Sequence, residues 1–351
     1  MLLLPPWQPL SEHLTPSEYS DMMLDHKKYA LYRLAIVSAI AALSRAGTNV
    51  SVISVVGAGY GGLVQCVMDA TRETKVQSSV FAMDTNSVAV NELRRRKLTE
   101  PDWKQVDILD MDMRDDEFVD LYLGKVDILV SELLGGFGDN ELAPECLTAC
   151  KKLLSPTGVS IPSSTTSYLA PVHARDLRRV MLNSENPTNR ERWWVHNQHL
   201  SRNTDVVLLA RPLPVFSFVY PHNEGALYRS RCLQFRCEFA GDHFGKSESW
   251  CHGFMGYFEA ALHGEVVLST LPERATPDLQ EWNPVFFPAK RTFCLPAQVN
   301  MRRASCSKGE RVWYSWSVIS EETPNGDEHN LNGRHCYMSC KSNKGGPATC
   351  E

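Results

Sequence analysis

Residues 50–62 read VSVISVVGAGYGG, and this stretch decides the fold. Residues 50–56 form an apolar, β-branched run suited to a strand covered on both faces. It turns directly into Gly57-Ala58-Gly59-Tyr60-Gly61-Gly62, a GxGxxG loop, and a helical pattern continues to about residue 71. Strand, glycine loop and helix in that order is a nucleotide-binding arrangement, because glycines at positions such as Gly57 and Gly59 let the backbone approach a ligand closely. Further strands are predicted at 79–83 and 105–108, with a helix over 86–97 between them. In an open α/β sheet the loops after these strands share one edge, where ligands bind. Asp84, at the end of the second strand, is placed to accept hydrogen bonds from ribose hydroxyls. Asp112, in the acidic turn after the third strand, is placed either to accept from an adenine amino group or simply to form part of a solvated acidic turn, and spacing alone does not separate the two.

Working outward, residues 125–146, KVDILVSELLGGFGDNELAPEC, contain a buried strand over 126–130 and a loop with a carboxylate at each end. Glu132 follows the strand. Glu141 comes nine positions later, after Gly135, Gly136 and Gly138 have freed the backbone to turn back. Pro144 and Glu145 then suit the first turn of a helix. Two carboxylates at the ends of one flexible loop converge naturally on a planar cation with several donors. A guanidinium fits, since its rigid fork meets a carboxylate in a bidentate manner and it arrives charged. The plainer alternative is a locally capping Glu132 and a solvated Glu141; the glycines and the strand-end position favour the shared ligand.

On the amino-terminal side, residues 17–45 have apolar positions near the helical period and stop at Gly47, which predicts a single long helix. Tyr19, Lys28, Tyr29 and Tyr32 lie in its first half. The net charge of -5 gives no basic footprint for direct contact with nucleic acid, while a mildly acidic surface suits a basic peptide. The eleven cysteines form no CxxC pair and no Cys/His cluster at zinc spacing, so reduced thiols, a cytosolic setting and no metal are expected. No stretch reaches the length of a membrane span, and the opening MLLLPPWQPL lacks the basic start of a signal peptide.

After residue 151 the alternation of strand and helix stops. A last parallel strand is expected at 158–162, and from 163 onward short alternating segments such as 231–239, 252–258, 266–271 and 312–319 are separated by Pro, Gly and Asn. Such spacing predicts an antiparallel β-barrel or sandwich, with 177–194 as a helical or loop insertion and 340–351 as a disordered tail. The expected domains are thus 1–47, helices forming a lid; 48–162, a Rossmann-like cofactor domain; and 163–339, a β-barrel for substrate and dimerisation. A dinucleotide enzyme continues with a second βαβαβ half, whereas this chain passes into β structure, so S-adenosylmethionine is favoured over NAD. Together with a guanidinium clamp, this suggests methyl transfer to arginine.

GAGYGGL, VSELLGGFGDNELAPECL, TGVSIP at 157–162 and VWYSW at 312–316 closely resemble the type II, symmetric-dimethylating protein arginine methyltransferases. The likeness runs from about residue 8 to 337, and its double-Glu loop is far more specific than its glycine loop. The resemblance implies that Glu132 and Glu141 hold the substrate arginine, and that Asp84 takes a ribose-binding position where the family often has Glu. It implies that Tyr19, Lys28 and Tyr29 lie close to the cofactor and that Asp112 and Met113 contact adenine. It places Trp316 where other arginine methyltransferases carry a Thr-His-Trp loop, and Met22 at a product-determining position where symmetric enzymes have Phe and asymmetric ones Met. From the same likeness come the expected product S-adenosylhomocysteine, arginine/glycine-rich substrates such as RNA-binding proteins and histones, a homo-oligomer, and a cytoplasmic and nuclear location. Family members also carry an N-terminal TIM barrel, and these residues are expected to be the catalytic region without it. A mainly asymmetric product and a non-catalytic scaffold are the alternatives.

Overall fold

The structure, a computed structural model, describes residues 14–182, 206–221, 228–238, 250–305, 312–320 and 331–336. Two helices come first, α1 (Pro16–Met22) and α2 (His26–Arg45), where the periodicity predicts one. The break has a local cause. Thr15 and Glu18 form a reciprocal capping box that starts α1, and Asp25 starts α2 by accepting the Lys28 backbone N–H at 3.0 Å. With no Gly or Pro at the junction, the apolar spacing runs through it unmarked.

The Rossmann-like half contains β1 (Val52–Val56), α3 (Gly62–Thr74), β2 (Ser79–Asp84), α4 (Ser87–Thr99), β3 (Val106–Asp110), α5 (Asp116–Tyr122), β4 (Val126–Ser131), α6 (Ala143–Cys150) and β5 (Leu154–Ile161). The strands form a parallel sheet in the order β3-β2-β1-β4-β5. The chain runs outward from β1 to β3 and then returns to the far side of β1, so the strand order reverses between β1 and β4, where such sheets bind ligands. Val56 pairs with Ser131 in this register, which sets Gly57 and Glu132 side by side. β4 is buried throughout, and its one charged residue, Asp127, is satisfied by the backbone N–H groups of Ser51 and Val52 at 2.8 and 3.1 Å.

The second half is antiparallel: β6 (Ser164–His173), α7 (Arg175–Leu182), β7 (Val207–Leu208), β8 (Leu213–Val219), β9 (Arg229–Phe235), β10 (Trp250–His263), β11 (Val266–Ser269), β12 (Val285–Cys294), β13 (Ala297–Ser305), β14 (Val312–Ser320) and β15 (Leu331–Cys336). One sheet runs through β8, β6, β10 and β12, and the other through β9, β13, β14 and β15. β8 lies beside β9 and β12 beside β15, so the two sheets close round one core as a barrel. α7 begins the segment expected as an insertion over 177–194; the rest of it, and the tail at 340–351, lie outside the described residues.

The double-Glu loop joins the two halves. Phe137, fully buried, projects from it into the barrel, where its ring stands edge-on to Phe287 at 5.1 Å and to Tyr314 at 5.4 Å between centroids. A Cβ on Gly256 would come within 2.6 Å of that ring, so β10 needs a glycine where Phe137 enters. Removing such a buried ring typically destabilises a protein by about 3–5 kcal/mol.

Candidate active site

The glycine loop after β1 and the turn after β2 build one half of a cleft. Gly57, Gly59 and Gly61 all have left-handed backbones, with φ of 66°, 51° and 84°. Close approach matters as much as conformation: a Cβ on Gly62 would fall 2.3 Å from the Tyr29 ring. Asp84 ties the two turns together. Its Oδ2 accepts from the Gly59 N–H at 2.8 Å, and its Oδ1 from the Asn86 N–H at 2.8 Å. Burial raises the Asp84 carboxyl above its ordinary value, while those backbone N–H groups pull it down. The carboxylate also lines the cleft, within reach of a ligand hydroxyl.

Tyr19 closes this half from α1. Its ring stacks on Tyr60 at 4.7 Å, and its hydroxyl accepts from Asn86 Nδ2 at 3.2 Å. Asp112 and Met113 line the far wall. The Asp112 carboxylate is already forked by Arg114, with Nε to Oδ1 at 2.9 Å and Nη2 to Oδ2 at 2.7 Å. Burial acts to raise the Asp112 carboxyl, yet these bonds hold it below the ordinary range.

The other half is the loop between β4 and α6. The Gly138 N–H donates to the Gly135 carbonyl at 2.7 Å, and the Phe137 N–H to Asn140 Oδ1 at 2.7 Å, closing a tight turn. A Cβ at Gly135 would lie 2.1 Å from Asn140, so glycine is required there. Leu142 then takes a left-handed φ of 69°, uncommon for a bulky residue, and redirects the chain into α6. Glu132 and Glu141 both line the cleft. Burial pushes the Glu141 carboxyl well above the ordinary range, and the negative charges of Glu132 and Glu281 push it further.

The loop is anchored from the barrel. Arg303 of β13 is fully buried and pairs with Asp139 through Nε and with Glu145 through two bonds of 2.9 Å. Asp139 also accepts from Ser167 at 2.7 Å and Tyr314 at 2.8 Å. Trp282, on the segment between β11 and β12, donates its indole N–H to the Leu134 carbonyl at 2.7 Å.

Lys28 sits at the junction of the two halves with 1 % of its side chain exposed. It pairs with Glu132 at 3.3 Å and more closely with Glu281. Burial alone would drive the proton from Lys28; the carboxylates of Glu281 and Glu132 outweigh it and hold the ammonium above its ordinary value. Burial raises Glu281 to about 7 against the pull of Lys28. The Nζ also lies 5.0 Å from the Tyr29 ring centre and 5.4 Å from that of Trp282.

The fold thus brings Tyr19, Met22, Lys28, Tyr29, Gly57, Gly59, Asp84, Asp112, Met113, Glu132 and Glu141 to one cleft. Trp316 is not brought there. It faces the barrel core from β14, 4 % exposed, with its ring edge-on to Phe287 at 5.7 Å. The tryptophan that meets the double-Glu loop is Trp282. Glu281, Trp282 and Arg303 escape the sequence reading because the groups they hydrogen-bond or pair with at the site are more than a hundred residues away. The only local signal is a Glu-Trp pair in a turn-rich segment.

The nucleoside half suits S-adenosylmethionine on this chemistry: glycines where a Cβ would collide, a half-buried carboxylate lining the cleft at the strand end, and a stacked aromatic pair as cover. The chain spans about half the length of the curated relatives it matches. It is 34% identical over 325 residues to protein arginine N-methyltransferase 5 of Xenopus laevis, covering 90% of this chain and 49% of that one. It is 35% identical over 325 residues to protein arginine N-methyltransferase skb1 of Schizosaccharomyces pombe, covering 89% and 49%. Among solved structures, Arabidopsis thaliana protein arginine methyltransferase 10 superposes with a TM-score of 0.66 at 16% identity, covering 94% of this chain and 99% of that one. The Trypanosoma brucei PRMT1 enzyme-prozyme complex with AdoHcy gives 0.65 at 15%, covering 90% and 97%; both share the fold. Residues 1–161 match the family described as PRMT5 arginine-N-methyltransferase and residues 164–338 the PRMT5 oligomerisation domain. The chain belongs to the PRMT5 family of protein arginine methyltransferases.

Proposed function

We propose that this chain transfers methyl groups from S-adenosylmethionine to arginine side chains of proteins. The observation that carries the reading is that Glu132 and Glu141 open into the same cleft as Asp84 and the glycine loop. When bound, the cofactor supplies a methyl group already activated as a sulfonium. Asp84 accepts the ribose hydroxyls, and Tyr19 and Tyr29 cover the nucleoside. Met113 borders adenine; Asp112, held by Arg114, shapes that wall more than it donates charge. Glu132 and Glu141 grip the guanidinium from two sides and draw its positive charge toward themselves, which leaves the remaining terminal nitrogen with an available lone pair. One of the two accepts the proton released.

Monomethyl and symmetric dimethylarginine are the proposed products, in line with the relatives' family. Met22 gives the asymmetric alternative its one structural argument. It lines the cleft beside Tyr19 with a flexible thioether where a rigid ring would narrow the space around one nitrogen. The match of residues 164–338 to an oligomerisation domain supports assembly through the barrel half. Extended arginine- and glycine-rich tails of RNA-binding proteins and histones suit an acidic protein with a narrow cleft, and the cytoplasm and nucleus are where these substrates reside. Isothermal titration with S-adenosylmethionine and NAD, followed by assay on an arginine/glycine peptide, tests the reading. Binding of the first alone, with methylated arginine formed, supports it; binding of NAD alone contradicts it.

A further inference from the structure

Three carboxylates, Glu132, Glu141 and Glu281, surround the cleft's buried ammonium, and an arginine clamp needs only two. Glu281 comes from the barrel half, from the segment between β11 and β12, with 11 % of its side chain exposed. Its placement is built. Asp25 Oδ2 accepts the backbone N–H groups of Gln280 at 2.9 Å and Glu281 at 3.1 Å, while Asp25 Oδ1 accepts that of Lys28. One fully buried aspartate therefore fixes both members of the Lys28–Glu281 pair.

Lys28 also reaches Glu132, at 3.3 Å, the longer of its two ion pairs. A buried ammonium must have a counter-charge. Without Glu281, the nearest remaining carboxylate is Glu132, one of the two that the guanidinium needs. We propose that Glu281 is a positioning residue that draws the Lys28 ammonium away from Glu132, so that the Glu132 carboxylate stays open to the substrate arginine. The inference rests on the arginine-methylating reading above and deepens it: the clamp works only while its own internal cation is held elsewhere.

The groups facing Glu281 are Asp25, Lys28 and Tyr29 from the helical segment, Tyr32 of α2, and Glu132 and Glu141 of the loop. Among the described residues that face it, Lys28 is the cation. Ionised Glu281 competes for it and protonated Glu281 releases it to Glu132, so arginine affinity rises as pH increases through about 7, the value to which burial lifts Glu281.

The test is titration of an arginine peptide into enzyme loaded with S-adenosylhomocysteine, alongside steady-state methylation. Glu281→Gln should weaken peptide binding and raise KM about tenfold with kcat within about threefold, since uniform binding is lost. The rise in affinity through neutral pH should shrink. In a Lys28→Met background the same substitution should add nothing, because its effect passes through the ammonium. Unchanged peptide affinity in Glu281→Gln, an equal loss in the Lys28→Met background, or a fall in kcat alone overturns the inference. If Lys28→Met does not fold, Glu281→Gln with an undiminished pH response overturns it on its own. Peptide affinity lost in Glu281→Gln, where the unmodified chain binds the peptide but methylates nothing, supports Glu281's role and contradicts the methyltransferase reading instead.

Discussion

Both terminal nitrogens of Arg303 meet the two carboxylate oxygens of Glu145 at 2.9 Å, across 158 residues of sequence. With Nε bound to Asp139, this guanidinium fixes the double-Glu loop to the barrel from inside the protein. Arg303→Met would leave Asp139 and Glu145 buried without their cation, and breaking such a pair typically costs about 3–5 kcal/mol. The expected outcome is a fall in Tm of roughly 5 °C, read by calorimetry. An unchanged Tm would contradict the anchoring role.

Arginine binding should release protons. Before substrate arrives, burial and neighbouring carboxylates keep Glu141 protonated well above the ordinary carboxylate range. A guanidinium favours its charged form, so near neutral pH binding should liberate up to about one proton per site, and affinity should rise with pH. Titrations in buffers of different ionisation enthalpy measure the release. Heats that do not depend on the buffer would contradict it.

The parallel sheet was legible from the sequence because buried strands announce themselves as apolar runs, and β4 with its glycines and paired glutamates marked the site. Barrel strands such as β6 and β12 were harder to see, since only a partner strand reveals which side of an alternating segment is inward. The split between α1 and α2 was hidden because a capping Asp25, with no Gly or Pro, makes it. The resemblance assigns the Thr-His-Trp place to Trp316, while Trp282 meets the loop, because the loop's contacts are set by where the chain returns from β11, which periodicity does not encode. Glu281 and Arg303 illustrate the same limit, as each has its meaning only through a residue far away in sequence.

Asp84→Ala should weaken S-adenosylmethionine binding by roughly 1–3 kcal/mol, the usual scale for losing charge-assisted hydrogen bonds. Its bonds to Gly59 and Asn86 also hold the glycine loop in shape, so some loss will come from that loop. An unchanged dissociation constant would move the ribose site elsewhere.

Met22→Phe should reduce whatever asymmetric dimethylarginine the enzyme makes, by crowding one terminal nitrogen beside Tyr19. Chromatography of hydrolysed product reads the ratio. Predominantly asymmetric product from the unmodified chain would overturn the symmetric assignment and make Met22 the controlling residue.

The most direct test of the account is methylation of an arginine/glycine peptide by the unmodified chain and by Glu132→Gln and Glu141→Gln, with cofactor affinity measured in parallel. The prediction is methylated arginine from the unmodified chain, and in each variant a loss of at least about a hundredfold in turnover with cofactor affinity retained. Near-normal turnover in either variant, or methyl groups on any residue other than arginine, would contradict it.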